Sequence, residues 1–66
     1  MTFAEYRHRH TNYDNRLRGA RSPEQQRAVM ESVALAAMQL AVQKQDRAFA
    51  ASVMSWAQAK HILTLN

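Results

Sequence analysis

SPEQQRAVMESVALAAMQLAVQKQDR, residues 22–47, decides the fold. Ser22 stands at N-cap, Pro23 at the first helical position, Glu24 in the first turn and Gln25 two residues after the proline. A serine hydroxyl there accepts an orphan backbone N–H, proline needs no donor, and an acid complements the positive end of the helix dipole. No glycine or proline follows Pro23 anywhere in the chain. The run Gln43, Lys44, Gln45, Asp46, Arg47 then interrupts the apolar pattern, and Asp46 suits the cap of a further helix. The spacing therefore predicts a helical hairpin, with helices at about 23–44 and 46–63. The competing reading is one helix of about 40 residues, roughly 60 Å long. Such a rod would leave its apolar surface with nothing to pack on, and the hairpin is preferred.

At about 100° per residue, Val29, Val33, Ala37 and Leu40 fall along one line of the first hairpin helix, with Met30 and Ala41 beside them. That line is the expected core face. Leu35, Met38 and Val42 project from the other side. A helix with one neighbour needs one apolar stripe, so this one is expected to touch two things. The second hairpin helix carries a single row, Phe49, Val53, Trp56 and Leu63, widened by Met54 and Ala57. Trp56 reads as a core anchor, and the alanines suit close helix contact.

Outward from the hairpin, residues 1–21 form an arginine-rich segment expected to be a short helix or arm. Thr2 and Glu5 have the spacing of a capping box. Phe3, Tyr6, His10, Tyr13 and Leu17 make one narrow stripe, with His10 read as a half-buried structural histidine, and Gly19 is the expected left-handed terminator. Thr11, Asn12, Asp14 and Asn15 are poor helix formers that weaken the middle of this stretch. The whole is expected to be one all-α domain, residues 1–66. The alternative cover for the Leu35 cluster is this segment itself, through Tyr6, Tyr13 and Leu17.

Sixty-six residues make a marginal core. The chain has no cysteine, which excludes disulfides and thiolate-bound zinc. Three histidines, His8, His10 and His61, show no ligand spacing, and no metal or other cofactor is expected. The remaining stabiliser is association, so a dimeric helical bundle is expected. The most apolar window, residues 33–42, is too short to cross a bilayer, which takes about 20 apolar residues. No secretory leader is legible at residues 1–6, and the default expectation is a cytoplasmic protein with no membrane partner.

The acids Glu5, Asp14, Glu24, Glu31 and Asp46 are scattered and each has a capping or helix-surface explanation. A single glycine forbids a phosphate loop. No enzyme and no small-molecule substrate are expected, and no catalytic residue is assigned. Six of the nine basic residues are arginines within residues 1–27, against three acids there. Arginine among tyrosines can fork onto carboxylates of a protein or stack on nucleic-acid bases.

In architecture alone, the size, hairpin and expected dimer resemble the small helical accessory proteins of phages, plasmids and secretion systems, which implies docking on a host or secreted protein, or on RNA. The preferred expectation is a non-enzymatic protein-binding regulator: an adaptor, inhibitor or small chaperone. Leu35, Met38, Val42, Tyr6 and Tyr13 are its expected apolar contacts, and Arg7, Arg16 and Arg18 its charged ones. The alternative is a dimeric nucleic-acid-binding regulator that uses the arginine-rich segment.

Overall fold

A computed structural model describes residues 1–62 of the chain. It contains α1 (Phe3–Arg9), α2 (Tyr13–Gly19), α3 (Pro23–Lys44) and α4 (Arg47–Ala59), and no strand among the described residues. The hydroxyl of Ser22 accepts from the backbone N–H of Gln25 at 3.1 Å, which starts α3 where the sequence places it. Gln45 ends it in the left-handed region, φ 52° and ψ 39°. Its N–H reaches the carbonyl of Val42 at 3.2 Å, and that of Asp46 reaches Ala41 at 3.0 Å. These paired bonds satisfy the last carbonyls of α3 and turn the chain in two residues. The Asp46 carboxylate then accepts from the N–H of Phe49 at 3.0 Å and opens α4. A left-handed glutamine costs about 1 kcal/mol or more relative to glycine, offset by the hairpin it closes.

Near the start of α3, Arg27 donates to the carbonyl of His61 at 3.2 Å, so α4 runs back antiparallel along α3. The expected hairpin is present. Its second helix is shorter than expected, stopping at Ala59. His61 adopts φ 57°, its N–H bonds Gln58 at 3.0 Å, and the N–H of Ile62 bonds Ala57 at 3.1 Å. The same terminating motif thus closes both long helices, and here it folds Ile62 into the core, 6% exposed. Leu63, expected on the α4 row, lies outside the described residues.

The N-terminal segment is two helices rather than one. Thr11 breaks it: its hydroxyl donates to the carbonyl of Arg7 at 2.7 Å and accepts from the N–H of Tyr13 at 3.3 Å. One side chain thereby serves the end of α1 and the start of α2, an alternative to continuing the helical ladder. The ring of His8 meets the Asp14 carboxylate at 2.8 Å across the corner. Two further expectations fail with the break. His10 is exposed at the corner, its ring tilted over Tyr6 rather than filling the stripe. Gly19 is the last residue of α2 without a left-handed φ, and Ala20 leaves the helix in extended backbone. The capping box is also half made. Thr2 accepts from the N–H of Glu5 at 3.2 Å, while the Glu5 carboxylate lies 3.5 Å from Arg9 instead of reaching back.

Helices of seven residues do not persist alone; α1 and α2 are held by what they cover. Phe3, Tyr6 and Tyr13 close over the α3–α4 groove against Val33, Ala34, Ala37, Phe49 and Val53. Phe3 meets Trp56 edge-on at 5.0 Å between ring centres, Tyr6 meets Phe49 at 5.6 Å, and Tyr13 meets Trp56 at 5.9 Å. The core of α3 is rotated slightly from the expected line. Val33, Ala34, Ala37 and Ala41 are buried, whereas Val29, Met30 and Leu40 are half-buried at its border. Alanines at the centre let α4 approach closely, which favours them over the larger side chains.

Candidate interaction surface

The expected contact residues separate into two groups. Tyr6 and Tyr13, 9% and 5% exposed, belong to the intramolecular core and offer no apolar contact to a partner. Arg7 is also turned inward. Its guanidinium carbon lies 5.1 Å from the ring centre of Phe3, 5.6 Å from Tyr13 and 5.1 Å from Trp56. Its Nε is buried and meets no acceptor among the described residues. A delocalised, weakly hydrated cation suits such a cage, in which three negative ring faces replace a counter-charge. Arg7, half-buried, therefore packs its guanidinium among the rings of α1, α2 and α4 rather than standing free in solvent like its neighbours.

The same cage acts on Tyr13. Burial raises its phenol pKa above the usual 10, and the nearby positive charge of Arg7 opposes that shift. An inward arginine was not legible in the sequence, where Arg7 looks like its exposed neighbours. The available signal was its spacing, one turn after Phe3 and six residues before Tyr13.

Leu35 and Val42 form the second group, 56% and 72% exposed. With Met38, Gln39 and Gln43 they line a shallow groove of about 410 Å³ on the outer side of α3. Met38 joins the two faces, half-buried against the core and lining the groove. The N-terminal helices do not cover Leu35 and Val42; they sit on the α3–α4 groove instead. Arg16 joins this group: its guanidinium lies 3.5 Å from the hydroxyl of Ser32, one turn from Leu35. Arg18 and Arg21 are exposed farther along the same N-terminal segment, with no ion pair among the described residues.

A second hollow of about 390 Å³ lies between the start of α3 and the end of α4, with Glu24, Arg27, Met30, Lys60 and Ile62 in its wall. Among the described residues no three histidine, aspartate or glutamate side chains gather as a metal site. None of the described helices is long and apolar enough to cross a membrane. No known protein family matches the chain, and no characterised protein or solved structure is significantly similar to it.

Proposed function

We propose that the protein is a small, non-enzymatic, protein-binding regulator (an adaptor, inhibitor or small chaperone) that acts by helix-mediated docking. Leu35 and Val42, exposed on the outer face of the C-terminal half of the longest helix, with Arg16 one turn from Leu35, carry this reading. Two large aliphatic side chains left in water on one face are a cost that a docked helix removes. Arg16, with Arg18 and Arg21, supplies a positive edge suited to a larger partner with an acidic surface. The lack of cysteine fits a reducing, cytoplasmic setting. Burial of Tyr6 and Tyr13 weighs against the nucleic-acid alternative, because base stacking needs those rings at the surface.

Affinity capture from the source cell, with and without nuclease, tests the reading. The captured protein should survive nuclease and fall away with the double change Arg16→Ala, Arg18→Ala, more so at low salt because exposed charges are screened. Recovery that disappears with nuclease would overturn it in favour of nucleic acid.

A further inference from the structure

We infer that α1 is a hinged plug, and that the aromatic seat it fills with Arg7, walled by Tyr13 and Trp56, takes an arginine of a partner helix when α1 swings out. The seat lies on α2 and α4, apart from the outer face of α3, and does not depend on what docks there.

How each element is fastened carries the first half. The hairpin closes on itself through local bonds at Ser22, Gln45, Asp46 and His61, and Arg27 ties its open end. α2 is joined to α3 by residues 20–22 and by Arg16 at Ser32. Among the described residues, no hydrogen bond or ion pair joins α1 to α3 or α4. Its polar ties run to the corner and to α2: Thr11 holds the carbonyl of Arg7, and His8, exposed, meets Asp14. On the hairpin only rings hold it down, Phe3 against Trp56 and Phe49, and Tyr6 against Phe49. Two side chains must therefore offset the ordering of the whole segment. An element fastened in this way opens before the rest of a fold does. Residues 10–12, between the two short helices, are the hinge.

The second half rests on what the seat already holds. The guanidinium carbon of Arg7 lies 5.1 Å from the Trp56 ring centre and 5.6 Å from that of Tyr13. Those two rings stand 5.9 Å apart and nearly perpendicular, at 79°. The third wall, Phe3, belongs to α1 and leaves with it. Two ring faces set at right angles then remain, an arrangement suited to a guanidinium. Arg7 fills it imperfectly, because its Nε is buried with no acceptor among the described residues. That cost falls on α1 alone, and a partner arginine that brings an acceptor avoids it. The partner helix also has to replace the lost wall. An aromatic residue four positions before the arginine does so, the spacing of Phe3 and Arg7.

The test uses the full chain and, as probe, a synthetic peptide of residues 1–10. Trp56 is the chain's one tryptophan, and the peptide has none, so Trp56 emission reports occupancy of the seat. A tethered plug competes at high effective concentration. The peptide should therefore bind the Arg7→Ala chain at least about tenfold more tightly than the wild type. A peptide carrying Arg7→Ala should bind neither. Thr11→Val loosens the corner and leaves both walls intact, so it too should tighten peptide binding, and it serves if the Arg7→Ala chain does not fold. In the wild type, the amides of Tyr6 and His10, bonded to the carbonyls of Thr2 and Tyr6, should exchange with solvent at least about tenfold faster than those of Val33 and Ala37.

Equal exchange in α1 and α3 overturns the inference, since α1 would then leave only when the whole chain unfolds. A peptide that binds no form of the chain overturns it as well. So does one that binds wild type and variants alike, or one whose binding ignores the loss of its arginine.

Discussion

α3 and α4 are joined by two residues, yet they use apolar side chains differently. α4 is one-sided: Phe49, Val53 and Ala57 are buried in a row with Trp56 beside them, and its far side is polar or small. α3 carries apolar residues around much of its circumference. One side, Val33 to Ala41, builds the core, while Leu35 and Val42 remain in water. The contrast separates two reasons for a helix to be apolar. What α4 carries is accounted for by the fold it belongs to, and what α3 carries exceeds that fold's needs.

The largest test of this contrast sets one valine against another. Val53 is fully buried, so Val53→Asp places an unpaired charge in the core and should abolish the cooperative helical melt, a cost above about 4 kcal/mol. Val42→Asp on the outer face should leave the far-ultraviolet circular dichroism of the folded chain essentially unchanged. Equal damage from both changes would mean that the outer face of α3 serves the fold after all.

A smaller effect separates the two kinds of arginine. Arg7→Ala empties the aromatic cage and should lower unfolding free energy by about 2 kcal/mol. Arg18→Ala should change it by less than about 0.5 kcal/mol, as exposed substitutions usually do. Urea denaturation of both variants measures the difference. If the two cost the same, the cage does not hold α1 in place.

The smallest effect is a pH dependence carried by Tyr13. Its folded pKa is raised by burial, while the unfolded chain ionises at about 10. The folded state therefore binds more protons above pH 10. Stability from this group is complete below about pH 10 and is lost as pH rises through the folded value. Melting temperatures measured upward from pH 8 should stay level and then fall for the wild type. The fall should be shallower for Tyr13→Phe, and equal slopes would remove Tyr13 as its source.

The hairpin was legible because its signals are local. Ser22 with Pro23, and Asp46 three residues before Phe49, are caps whose partners lie within one turn. The two apolar faces of α3 followed from periodicity, which specifies direction without specifying what lies there. The N-terminal break was not legible as a break. Thr11, Asn12, Asp14 and Asn15 looked like weak helix, and nothing local shows that one threonine hydroxyl will serve two helices. Tyr6 and Tyr13 looked available because their cover, Phe49 and Trp56, comes from far along the chain. Ile62 entered the core through a left-handed His61, a conformation that sequence rarely announces outside glycine. Arg7 was misplaced for a related reason: its charge is balanced by three ring faces brought together only by the fold.

The long reach of α1 also affects how the chain is made. Translation proceeds at about 5–20 residues per second, and Phe3, Tyr6 and Tyr13 leave the ribosome well before Phe49 and Trp56, the rings that shelter them. For that interval the most aromatic part of the molecule is without its cover. Seven-residue helices cannot hold themselves together meanwhile, so α1 and α2 should fold last although they are synthesised first. The arginines interspersed among those rings carry like charge, which disfavours association of exposed nascent segments before the hairpin is made.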